Sequence, residues 1–191
     1  LILLISLAGG GGNSPKGVTK EFLDMMHDFD EEKIAEESGT DLGREFALGT
    51  YQDDSYDPIK VIKKNCRNVS YKIVSVESDD YNAAVEVNLE YKDLYGVFDI
   101  FTNLIRQHMS EFETSYGTSS KDRMLIYLFE SFEKCKGEDA ETTCTIYLYK
   151  TDDGWEIDFG SGNIRDAIYI YAFGMTQNSL YNGINNVIRK F

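Results

Sequence analysis

The sequence predicts an α+β fold in which helices pack on an antiparallel sheet. Three observations carry that expectation. Apolar residues recur at helical spacing through the first third of the chain. The period then switches to two over residues 71–92 and again over residues 143–159, with helical spacing between and after those blocks. The single Trp of the chain, Trp155, falls on the last alternating run, facing the core.

Ser14-Pro15 supplies a helix start, an N-cap hydroxyl followed by proline at the first helical position. Val18, Phe22, Met25, Met26, Phe29 and Ile34 then keep helical spacing, with Lys20, Glu21, Asp24 and Asp28 on the other face, until Gly39 ends the segment. A short second helix is expected over residues 41–49, built on Leu42, Phe46 and Leu48, followed by a polar loop over 51–57. Asp57-Pro58 starts a third helix that runs through Ile59, Val61 and Ile62 to Cys66.

Tyr71, Ile73, Val74 and Val76 make a first strand, closed by Ser78-Asp79-Asp80. Ala83, Val85, Val87, Leu89 and Tyr91 alternate with Ala84, Glu86, Asn88, Glu90 and Lys92, the pattern of a half-buried strand, and the two runs form a hairpin. Helical spacing returns with Phe98, Phe101, Leu104, Ile105, His108, Met109 and Phe112, breaks over residues 115–120, and resumes over 124–132. Residues 143–150 form a third strand, and Asp152-Asp153-Gly154 gives a tight turn. Trp155, Ile157 and Phe159 alternate on a fourth strand. The tail 164–191 is helical, with interruptions expected at Gly174 and Gly183.

Charge excludes two partner classes. There are 33 acids against 19 Lys and Arg, a net charge of −14, and no basic cluster in the sequence, which excludes nucleic acid and adsorption to anionic lipid by charge alone. Hydrophobic residues at 42% and aromatics at 13% exclude a disordered acidic chain. The surplus is uneven: residues 19–57 hold thirteen acids against Lys20, Lys33 and Arg44, while the tail is mildly basic.

Residues 1–7, Leu-Ile-Leu-Leu-Ile-Ser-Leu, are far too short for the roughly 20 residues of a bilayer span and read as the apolar core of a shortened signal peptide. Leu7-Ala8-Gly9 resembles the first positions of a bacterial lipobox. In that motif the next residue is a Cys that becomes the lipidated N-terminus; here it is Gly10, which has no sulfur to acylate. Gly11-Gly12-Asn13-Ser14 resembles the flexible tether that follows such a Cys. The expected organisation is a signal-like segment and tether over residues 1–13 and one α+β domain over 14–191. With Cys natively at position 10 the protein is lipid-anchored outside the cytoplasm; otherwise it is secreted.

The order of elements resembles the cystatin-like, nuclear-transport-factor-two-like fold, in which a curved sheet wraps an N-terminal helix. Within it the chain looks like the small lipoprotein domains of unknown function of Gram-positive bacteria. The resemblance rests on Val18-Thr-Lys-Glu-Phe-Leu-Asp-Met-Met26, Tyr71-Lys-Ile-Val-Ser-Val76, Ala84-Val-Glu-Val87 and Lys150-Thr-Asp-Asp-Gly-Trp-Glu-Ile-Asp158. A helical insert over residues 95–135 departs from the compact form of that family; it either caps the open face of the sheet or projects as a partner surface. The resemblance implies an extracytoplasmic, non-catalytic binding domain for a small ligand or a cell-surface protein. Two alternatives stay open: a ketosteroid isomerase-like enzyme with an acid–Tyr pocket, and a structural interaction protein of the envelope.

The chemistry-bearing residues are few. Cys66, Cys135 and Cys144 leave two readings open, a Cys135–Cys144 disulfide or three free thiols. No Cys-x-x-Cys pair exists and the only imidazoles are His27 and His108, neither at a catalytic spacing from Ser or Cys. The acidic runs 28–32 and 53–57 lack the spacing that wraps a Ca²⁺ ion and read as a helix face and a loop with a helix cap. Tyr147, Tyr149, Tyr169, Tyr171 and Tyr181 could line a pocket or pack the core. No catalytic, cofactor-binding or metal-ligating residue is named by these patterns.

Overall fold

A computed structural model of the chain describes residues 14–45, 57–110, 118–161 and 163–191. Helix α1 (Pro15–Asp28) begins where Ser14 Oγ accepts the Gly17 N–H at 3.1 Å, and it buries Val18, Phe22, Leu23 and Met26. The helical run expected to reach Gly39 is two helices. Phe29 turns left-handed, φ 51°, and Asp30 caps α2 (Glu31–Ser38) by accepting the Lys33 N–H at 3.2 Å. A left-handed Phe costs about 1–2 kcal/mol. Burial of its ring, worth about 1.5–3 kcal/mol, offsets that cost, and Phe29 is only 3% exposed.

Of the helix expected over 41–49, α3 (Leu42–Glu45) is described; residues 46–56 lie outside the described residues. Helix α4 (Pro58–Arg67) is capped by Asp57, which accepts the Lys60 N–H at 3.2 Å, and it buries Val61, Ile62 and Cys66.

Strands β1 (Ser70–Ser78), β2 (Asn82–Asp93), β3 (Glu138–Thr151) and β4 (Gly154–Ile157) form one antiparallel sheet in chain order. In β2 the alternation holds: Ala83, Val85, Val87 and Leu89 are buried. In β1 a bulge intervenes, because Ile73 pairs with Val87 while Ser75 pairs with Glu86, leaving Val74 extra. Past the extra residue Val76 stands opposite Val85 but stays 40% exposed at the sheet edge. Strand β3 begins earlier than the alternation from residue 143 predicts. Residues 138–142 are mostly polar and carry no apolar signal, but pairing to β2 as far as Asp93–Glu138 holds them extended. Phe159 lies beyond β4 and meets the Phe22 ring edge-on at 5.7 Å.

Helix α1 lies across β1, β2 and β4. It shares the inner side with α7 (Ile164–Phe173), which packs on β3, α1 and α4. Helix α7 is buried all round: every residue from Ala167 to Phe173 is at most 2% exposed. Gly174 ends it with φ 62°, at an expected interruption. Gly183 is no interruption. It sits within α8 (Gln177–Ile188), where a Cβ would come within 2.1 Å of the Phe98 ring, so glycine there serves close packing.

The insert contributes α5 (Val97–Gln107), packed on α8, and α6 (Thr118–Lys134), packed on α5 and α4. Phe132 lies 5.6 Å from the Phe173 ring, centroid to centroid, and the buried side chains of both insert helices join the same cluster as those of α1 and the sheet. The insert is therefore part of the core and does not project from it. Among the described residues no helix is long and apolar enough to cross a membrane.

Candidate functional site

An acid–Tyr pair does occur, at the junction of α1 and β1. Tyr71 OH donates to Asp24 Oδ1 at 2.8 Å, and Lys20 Nζ binds Asp24 Oδ2 at 2.6 Å. Its electrostatics run opposite to those of a general acid or base. Partial burial pushes the Asp24 carboxyl up, but the hydrogen bonds from Lys20 and Tyr71 outweigh it and hold the group below its ordinary value. Burial first, and the bond to Asp24 second, push the Tyr71 phenol up to about 12. An isomerase of the kind considered needs a carboxyl poised near neutrality beside a donor in a dry cavity. Here the Asp24 side chain is half exposed and fully ionised at neutral pH.

The other tyrosines scatter. Tyr147 is exposed on the outer sheet face, and Tyr149 OH donates to Glu156 at 2.9 Å. Tyr169 and Tyr171 are buried on α7, the first accepting from Gln177 Nε2 at 3.1 Å and lying 3.5 Å, OH to OH, from Tyr181. Tyr171 OH and Thr19 Oγ1 are buried with no hydrogen-bond partner among the described residues, and burial drives the Tyr171 phenol far up.

All three cysteines are free thiols, so the Cys135–Cys144 bridge is absent. Register explains why. Cys144 stands opposite Val87, whereas Cys135 Sγ faces the Leu94 carbonyl at 3.8 Å. The strand length from Val87 to Leu94 separates the two thiols by about 20 Å, against the roughly 7 Å limit between Cα atoms of a disulfide. Burial pushes the Cys144 thiol up to about 11 and Cys66 higher still, so neither is a nucleophile near neutral pH.

His27 Nδ1 lies 3.4 Å from Asp28 on the exposed side of α1, and His108 stacks on Tyr127 with ring centroids 4.9 Å apart. Asp28 to Glu32 supply a helix end and the Asp30 cap. Gly10, Asp53 and Asp54 lie outside the described residues.

A concave feature lies elsewhere among the described residues, and the sequence motifs do not mark it. Strand β1 starts at Ser70, opposite Glu90, while β2 and β3 continue paired to Asp93 and Glu138. The last rungs of β2 thus have no strand on the β1 side, and the end of α4 steps over them. The resulting groove of about 320 Å³ is walled by Lys64, Asn65 and Asn68 of the α4 end and by Lys134, Cys135 and Lys136 of the α6–β3 corner. Val69, Leu94, Phe132 and Ile170 supply apolar surface, with Tyr91 and Lys92 along β2. It opens into a shallower arm of about 600 Å³ that adds Ser70, Glu90, Asp139 and Glu141. The smaller arm is the better binding site, because it is the more enclosed of the two.

Gly174 closes one end of the groove. A Cβ there would lie 2.3 Å from the Lys92 carbonyl oxygen, and Leu94 N–H donates to Gly174 O at 3.2 Å. Asn65 Nδ2 is committed to the Ala172 carbonyl at 3.0 Å, fixing the α4 wall against α7. In a chain of net charge −14, four lysines line this arm against the single carboxylate of Glu133. Their legible trace in the sequence was weak, since three stand on separate elements, α4, β2 and α6, and Lys136 on the connection from α6 to β3.

Neither protein-family models nor curated protein sequences match the chain. Among solved structures, the crystal structure of a candidate lipoprotein from Bacillus subtilis, YcdA, superposes with a TM-score of 0.52 at 16% sequence identity, over 85% of this chain. The match spans 56% of that protein's chain. At this identity the likeness is one of fold: the chain is an α+β protein similar in architecture to a candidate bacterial lipoprotein.

Proposed function

We propose that this protein is a non-catalytic binding domain displayed outside the cytoplasm, and that the groove between α4, β2 and the α6–β3 corner is its ligand site. The observation that carries the proposal is the groove itself: a concavity with an apolar lining and converging polar side chains, built on three packed elements. The low Asp24 carboxyl and the filling of the inner sheet face by α1 and α7 favour binding over catalysis. A lipid anchor is supported by the lipobox-like Leu7-Ala8-Gly9 and by likeness to a candidate lipoprotein, and requires Cys where this chain has Gly10. Helix α1 across an antiparallel sheet supports the finer assignment to the cystatin-like folds, with residues 14–191 as one domain.

Two measurements test this. Intact mass of the protein from its native membranes shows a diacylglyceryl adduct if the anchor reading is right, and none if it is wrong. Native mass spectrometry of the folded protein from the same source carries a small-molecule adduct. That adduct is lost in Asn68→Trp, whose ring would lie across the groove; an adduct unaffected by the ring would defeat the site assignment.

A further inference from the structure

We infer that the groove binds a small amphipathic anion, a molecule with one carboxylate, sulfonate or phosphate group on an apolar body. The inference rests on the binding-domain reading and names its ligand class.

Charge placement carries it. Lys64, Lys92, Lys134 and Lys136 ring the groove, against Glu133 alone. Two of the four have a structural reason to be there: Lys64 and Lys134 stand in the last turns of α4 and α6, where exposed carbonyls favour a cation. Lys92 lies on β2, away from any helix end, and Lys136 lies two residues past the end of α6. Lys92 is held by Asp139 at 2.5 Å and Lys134 by Glu130 at 2.5 Å. Lys64 and Lys136, on opposite walls, have no carboxylate partner among the described residues. These two ammonium groups line one cleft and attract an anion there, beside the groove's own acids, Glu133 and those of the outer arm.

The surface beneath selects the rest of the ligand. Val69, Leu94, Phe132 and Ile170 form a closed floor, each at most 5% exposed, and their side chains offer an anion no hydrogen bond. The carbon surface left open at the groove rewards an apolar body at about 25 cal/mol per Å². A volume of about 320 Å³ accepts one compact molecule and is too concave for a flat bilayer surface. The acids of the outer arm, Glu90, Asp139 and Glu141, disfavour a second anionic group there.

The test uses two fluorescent probes of like shape, anilinonaphthalene sulfonate and its uncharged counterpart N-phenylnaphthylamine, on the full chain. The sulfonate should bind the wild-type protein more tightly than the neutral probe, with affinity falling as salt rises. The Lys64→Gln/Lys136→Gln variant should bind it about tenfold more weakly, while affinity for the neutral probe stays the same. Both substitutions are at exposed positions, and an unchanged melting temperature verifies the fold. Equal binding of the two probes, or a sulfonate affinity unmoved in the variant, overturns the anion inference and leaves the binding-domain reading standing. Binding of neither probe defeats both. Lysine-dependent binding to phosphatidylglycerol vesicles with no binding of the free sulfonate also overturns the inference, since the basic surface would then be a membrane face.

Discussion

Single side chains decide what this protein's interior and surface tolerate. The Tyr71–Asp24–Lys20 cluster stabilises the ionised carboxylate, so its contribution is present above the ordinary Asp range, about pH 4, and is lost as pH falls through the lowered Asp24 value. Tyr71→Phe should raise the Asp24 pKa in an NMR titration. Its stability deficit should be largest near neutral pH and shrink under acid; an unmoved Asp24 would refute the pair. Tyr171 presents the opposite case. Its hydroxyl is buried without a partner, so Tyr171→Phe should stabilise the protein by about 1–3 kcal/mol in urea denaturation, whereas a loss of stability would reveal a bond to that oxygen. Tyr169→Phe should instead destabilise by about 1 kcal/mol, because it gives up the Gln177 contact.

At the level of helices and strands, the sequence was readable where one residue type has one use. Ser14-Pro15, Asp57-Pro58 and Gly39 marked helix ends through capping chemistry that needs no tertiary context. The apolar run of β1 was read as one strand without its bulge, which falls at the adjacent apolar pair Ile73 and Val74. Breaks that depend on packing were not readable: Phe29 goes left-handed because a core pocket receives its ring. Gly183 misled for a related reason, since helix propensity says break while the space beside Phe98 says fit. Gly183→Ala makes the contest measurable. Helix propensity would gain up to about 1 kcal/mol, but the crowding of Phe98 should cost about 1–3 kcal/mol. We expect a net loss in melting temperature, relieved in a Phe98→Leu background.

Over the whole molecule, charge is uneven. Residues 19–57 carry thirteen of the 33 acids with three basic residues, while at the groove four lysines stand among Glu133 and, in its outer arm, Glu90, Asp139 and Glu141. Glu90 and Glu141 even face each other directly across β2 and β3. Like charges this close oppose folding, and salt screens them over about 8–10 Å at physiological strength. The melting temperature should therefore rise as sodium chloride is added from very low concentration; a falling value would mean that favourable pairs such as Lys92–Asp139 dominate. The groove was invisible in the sequence for a reason of scale: its walls come from residues 64–69, 91–94 and 132–136, and only the unequal lengths of β1 and β2 bring them together.

The bulge in β1 has a bearing on how copies of this protein meet. Strand β1 is the sheet's outer edge, and it displays Val74 and Val76, 56% and 40% exposed, the raw material for strand-to-strand aggregation. An extra residue interrupts the even row of amides and carbonyls that a second edge would need for a continuous ladder. Deleting Val74 keeps the partners of Ser75 and Val76 on β2 while straightening that row, and should convert a dispersed protein into one that self-associates in light scattering. The irregularity works as a guard, letting an apolar edge remain at the surface in a crowded solution.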